Sequence, residues 1–123
     1  MRLTLAAMLL VIVATACGGG GTASNTDMSS ATQTLTVDNT LSWCSVTVTV
    51  GNASPVTFTN ASHAFQAAAG TTVNLTATPL PSFLPVKWTG TTTMNGSSAT
   101  YVMTSAASQT VTACCPESNG SGC

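Results

Sequence analysis

The five cysteines carry most of the chemistry open to this 123-residue chain: Cys17, Cys44, Cys114, Cys115 and Cys123. A thiol can bridge to another thiol, ligate zinc, attack an electrophile or take a lipid. Structural zinc needs four Cys or His ligands, commonly with C-x-x-C spacing. Here two cysteines are adjacent, and the single histidine, His63, is remote from the others in sequence. Nucleophilic catalysis needs a base and a group that orients it. His63 has no such company, and neither G-x-S-x-G nor C-x-x-C occurs. The chain is therefore assigned no catalytic residue, no metal and no cofactor, and His63 reads as a structural or surface residue. Disulfides formed in an oxidising compartment are the expected use of the cysteines.

Charge sets further limits, since the chain has two Lys or Arg and three Asp or Glu. Nucleic acid is bound largely through Lys and Arg on phosphates. Beyond residue 16 only Lys87 is basic, so nucleic acid is not a partner. Asp27, Asp38 and Glu117 are too dispersed for paired-carboxylate catalysis or an oxygen-ligand metal site. Gly18-Gly19-Gly20-Gly21 has no strand before it and no Lys or helix start after it, so it reads as a spacer and not a phosphate loop. So little charge would suit a membrane. Yet past the N-terminal segment the apolar residues alternate with Thr and Ser instead of running for the 18 or so that a spanning helix takes.

The N-terminus supplies an address. Met1-Arg2 is followed by the apolar stretch Leu3 to Val13 and the small residues Ala14-Thr15-Ala16, the order of a signal peptide over residues 1–16, too short to span a bilayer. Ala14-Thr15-Ala16-Cys17 resembles the lipobox of bacterial lipoproteins, with Ala14 where Leu is commoner. The resemblance implies that Cys17 receives a diacylglycerol thioether, becomes the mature N-terminus and is N-acylated. Gly18 rather than Asp follows it, which implies the outer membrane in a two-membrane cell. Cysteine arithmetic agrees, because an exported chain rarely keeps an odd thiol and lipidation of Cys17 leaves four. Two or three acyl chains make a firm anchor, at about 0.8 kcal/mol per buried methylene. Simple secretion with cleavage after Ala16 is the alternative. Residues 17–34 then form the lipidated cysteine and a Gly/Ser/Thr-rich tether, with a span on the order of 20–24 Å.

Period-2 alternation begins beyond the tether. Cys44, Val46, Val48 and Val50 share one face, as do Val56 and Phe58, then Val73, Leu75 and Ala77, then Val111, Ala113 and Cys115; Thr and Ser fill most of the opposite faces. Asn95-Gly96 is a strong hairpin signal. Ala64 to Ala69 is helix-like but amounts to one turn or none. These features predict an all-β, small, disulfide-braced, mainly antiparallel domain, grasp-like or sandwich-like, over residues 35–115, with 116–123 as a C-terminal tail. Four cysteines allow three pairings, and a bridge between the neighbours Cys114 and Cys115 is strained. Cys44 and Cys115 both share a face with buried valines. This favours Cys44 with Cys115, closing a loop of about 70 residues for on the order of 4 kcal/mol, and Cys114 with Cys123. Trp43 has the opposite parity to Cys44, which points it outward unless a bulge intervenes, either as a candidate contact residue or as cover for a second small apolar cluster.

Three blocks resemble the divergent internalin-B-type bacterial repeat: Gly70-Thr71-Thr72-Val73-Asn74-Leu75-Thr76-Ala77-Thr78-Pro79, Trp88-Thr89-Gly90, and Ala106 to Ala113 ending in Val111-Thr112-Ala113. The likeness covers about residues 45–114, and its first block is the most specific. It implies a small all-β, grasp-like module on exported bacterial proteins, with Trp88 in the core and no catalytic residue to carry over. The combined reading is a non-enzymatic, lipid-anchored surface module for adhesion or protein contact. Its partners would be the membrane, through the anchor, and a surface protein or glycan. A carbohydrate-binding module using Trp43 and a simply secreted disulfide-rich domain are the alternatives. Labelled palmitate should enter the wild-type chain and not Cys17→Ser; equal labelling of both returns the chain to simple secretion.

Overall fold

The computed structural model describes residues 31–123, so Cys17, the expected signal peptide and the expected tether up to residue 30 lie outside the described residues. Nine strands follow one another: β1 Thr32–Asn39, β2 Cys44–Val50, β3 Val56–Phe58, β4 Ser62–Ala68, β5 Thr72–Pro79, β6 Lys87–Thr89, β7 Thr93–Asn95, β8 Ser98–Val102 and β9 Ser108–Cys114. They form two sheets, in the orders β4-β1-β9-β6 and β3-β2-β5-β8-β7. The pairings are antiparallel except for β1 with β9. One core takes Leu35, Val37, Val111 and Ala113 from the first sheet and Val46, Val48, Val73, Leu75 and Ala77 from the second. The arrangement is a sandwich, the form taken by two sheets that each have one apolar face.

Alternation drives this folding locally. In β2, β5 and β9 the valines, Leu75 and the alanines face in while Thr and Ser face out, and burial follows that pattern. β1 begins at Thr32, so residues 32–34, which composition assigns to the tether, belong to the domain. Gln33 shares the inner face with Leu35 and Val37, and the Thr34 N–H donates to the Ala107 carbonyl at 3.1 Å. The segment around Ala64 to Ala69 is strand β4, not a helical turn. Its seven residues pair with β1 from Thr32↔Ala68 to Asp38↔Ser62, and Phe65 enters the core. Partner hydrogen bonds and one buried ring outweigh a weak preference in so short a stretch.

The inner face of the first sheet ends in amides rather than charges. At one end Gln109 on β9 accepts from the Thr104 N–H at 2.8 Å and donates to the Ala106 carbonyl at 2.8 Å, shaping the β8–β9 connection. At the other end Asn39 is fully buried. Its Nδ2 donates to the Cys44 carbonyl at 2.8 Å and to the Thr59 and Asn60 carbonyls at 3.3 Å, and its Oδ1 accepts from the Cys44 N–H at 3.2 Å. The end of β1, the start of β2 and the β3–β4 connection are thereby held by one side chain. Gly90 explains its own motif. It has φ +77°, and a Cβ there would lie 2.6 Å from the Thr110 carbonyl oxygen, so only glycine lets β6 leave β9 beside Trp88.

Two substitutions test this core. Trp88 is buried on the inner face opposite Ala113, and Trp88→Ala should cost about 3–5 kcal/mol. Asn39→Ala removes little volume but leaves the buried Cys44 N–H and C=O unpaired, at about 1–3 kcal/mol each. Denaturant unfolding followed by circular dichroism should therefore show a loss of about 2–6 kcal/mol for Asn39→Ala, well above that of an exposed change such as Thr76→Ala.

Candidate functional site

Cys44 is bonded to Cys115, with Cα atoms 5.7 Å apart, and Cys114 to Cys123, at 6.0 Å. The first bridge ties the start of β2 in one sheet to the residue after β9 in the other. The second brings the chain end back against β9. Among the described residues no three His, Cys, Asp or Glu side chains group so as to hold a metal. His63 lies on β4 with its ring 5.4 Å from that of Phe58 and 4.8 Å from that of Phe65, an aromatic cluster between the two sheets on one flank.

Trp43 does not stand outward as strand parity suggests. β2 starts only at Cys44, and the preceding turn Thr40–Ser42 has Leu41 and Ser42 at φ +56° and +58°, so no strand parity runs from Cys44 back to Trp43. Trp43 is half-buried against the core, stacked on Phe83 with ring centroids 4.8 Å apart. The C-terminal tail covers it as well, since a Cβ at Gly122 would collide with its six-membered ring. The tail is accordingly part of the packed structure. Glu117 forms a bridge with Phe83, and the Leu84 N–H donates to the Pro116 carbonyl at 2.7 Å. Nothing in the parity of residues 41–44 discloses this contact, because a positive-φ turn resets side-chain direction.

The feature that sequence reasoning missed is the edge of β4, which no other strand pairs among the described residues. Four strands end the two sheets: β4, β6, β3 and β7. Three of them have three residues each, and β6 also carries Lys87; short length and a lysine both discourage further pairing. β4 has seven residues, Ser62–Ala68, with no Pro and no Asp, Glu, Lys or Arg. Its hydrogen-bond phase follows from the Asn39 N–H donating to the Ala61 carbonyl at 2.7 Å, which makes the opposed pairs 37/63, 35/65 and 33/67 the bonded ones. Ser62, Ala64, Gln66 and Ala68 therefore aim both backbone groups away from β1. Asn60 Nδ2 takes the Ser62 carbonyl at 2.8 Å, and the Thr71 N–H takes that of Ala68 at 3.2 Å. Ala64 and Gln66, both exposed, present N–H and C=O to the outside.

Two surface depressions of about 220 Å³ each lie elsewhere. One is on the outer face of the second sheet, lined by Asn74, Thr76, Thr93, Asn95, Ser98 and Thr100. The other lies beside the Cys114–Cys123 bridge and Lys87. Neither carries a charged cluster. No family model, no curated protein and no solved structure matches the chain. Gly122→Ala should lift the tail from Trp43, because φ is +92° and the new methyl meets the ring. The expected readout is faster reduction of Cys114–Cys123 by dithiothreitol, with Cys44–Cys115 unaffected; equal rates for variant and wild type would place the tail's hold elsewhere.

Proposed function

We propose that the chain is a non-enzymatic, lipid-anchored contact module of the bacterial cell surface, with an internalin-B-like β domain held on a tether from Cys17. The observation that carries the contact reading is the open edge of β4. A seven-residue strand with unpaired backbone groups, no Asp, Glu, Lys or Arg and no proline is a template for strand addition, in which main-chain hydrogen bonds supply affinity and alternate side chains supply selectivity. The aromatic cluster of Phe58, His63 and Phe65 on the same flank offers an apolar floor beside that edge. Against the glycan reading, Trp43 is stacked on Phe83 and lies against Gly122, which leaves less of its ring open as a platform.

A photoreactive benzophenone side chain at position 66, on the edge, and another at position 110, on the outer face of β9, separate this from contact by a sheet face. Irradiated cells should yield protein adducts from position 66 and few from position 110. Adducts from 110 alone would move the contact surface to the threonine-rich face and remove the strand-addition reading.

A further inference from the structure

We infer that the β4 edge pairs with β4 of a second copy of this chain, antiparallel and two-fold symmetric about Phe65. The inference rests on the contact reading and names its partner. The capped ends of the edge select the register. With the Ser62 and Ala68 carbonyls already engaged, the groups left unbonded are the N–H and C=O of Ala64 and Gln66 and the N–H groups of Ser62 and Ala68. An antiparallel pairing centred on Phe65 sets Ala64 opposite Gln66 of the other copy, and the reverse, as two bonded pairs. Four hydrogen bonds form, using every free carbonyl and both central N–H groups. Centring on Ala64 or Gln66 instead would draw on the carbonyls that Asn60 or Thr71 already occupies.

Side chains and charge agree with this partner. In the register centred on Phe65 the two Phe65 residues meet as a non-bonded cross-strand pair, the closer-spaced kind in which aromatic pairs are favourable. His63 meets Ala67, and Ala64 meets Gln66. β4 itself has no Asp, Glu, Lys or Arg, and the nearest of these, Asp38, lies opposite Ser62 at one end of β1. The antiparallel arrangement sends the two Asp38 residues to opposite ends of the joint, so like charges do not oppose one another. A charged peptide strand would find no counter-charge along β4, whereas a second β4 brings none. The result would be one continuous eight-stranded sheet, four strands from each copy.

The test uses the full exported chain in detergent. Sedimentation should show a concentration-dependent dimer. Gln66→Pro should weaken it at least tenfold at an unchanged unfolding midpoint, because the N–H it removes points away from β1 and edge strands tolerate proline there. Should proline unfold the strand, Gln66→Lys provides the same comparison through charge on the edge. In the wild-type background, benzophenone at position 66 should give a self-adduct whose cross-linked peptide contains Ala64. A monomer at all concentrations, or a dimer undiminished in Gln66→Pro and Gln66→Lys, overturns the self-pairing. Adducts from position 66 to other proteins only would overturn it while the contact reading stands; no adducts of any kind would remove both.

Discussion

The two sheets are joined at Cys44, through its side chain and its backbone together. The sulfur is bonded to Cys115 beyond β9, while the backbone N–H and C=O both pair with the buried side chain of Asn39 at the end of β1. Asn39 then extends to the Thr59 and Asn60 carbonyls ahead of β4. A buried amide is stabilising only when it is fully partnered, and this one has partners for both its oxygen and its nitrogen. A sandwich of this size has a modest apolar core, so a covalent tie and a satisfied polar clamp at one junction carry a large share of its uniqueness. They set the distance between the sheets where the chain crosses from β1 to β2.

From that junction the rest of the domain follows in two directions. Along β1 and β9 the parallel pairing carries the apolar face of Leu35, Val37, Val111 and Ala113 across the sandwich to Val46, Val48, Val73 and Leu75. At the far side β4 must cover the flank of β1 with Phe65, and it needs several residues to do so. That requirement leaves a long edge without Asp, Glu, Lys or Arg where the other edges of the described residues are short. In a chain with so few Lys, Asp and Glu, the usual means of blocking an edge are scarce.

The same scarcity shapes the function we propose. With the four described cysteines in bridges and few ionisable groups elsewhere, recognition falls to backbone hydrogen bonds and apolar contact, which is what a free strand edge provides. Copies held by the proposed membrane anchor would meet at high local concentration. There, even a joint of four hydrogen bonds and one aromatic pair would have consequences for how the molecules assemble.

The sequence by itself determined the strand-rich class, through Val and Ala alternating with Thr, and the inward direction of Cys44, because side chains in a strand alternate; Cys115, one residue past β9, is buried beside an equally buried Cys114. The W-x-G block likewise anticipated a packed Trp88. It left β1 partly in the tether and β4 as a possible turn, since Thr-Gln-Thr and Ala-Phe-Gln-Ala-Ala carry little preference of their own, and their pairing with one another decides both. Trp43 was misdirected for a different reason: a turn at positive φ interrupts parity, and the ring is covered by Phe83 and Gly122, about 40 and 80 residues further along the chain. The open edge is likewise a property of topology alone. Which strand ends a sheet, and which of its backbone groups point outward, depends on the order β4-β1-β9-β6 and on the register with β1, neither of which local residue patterns encode.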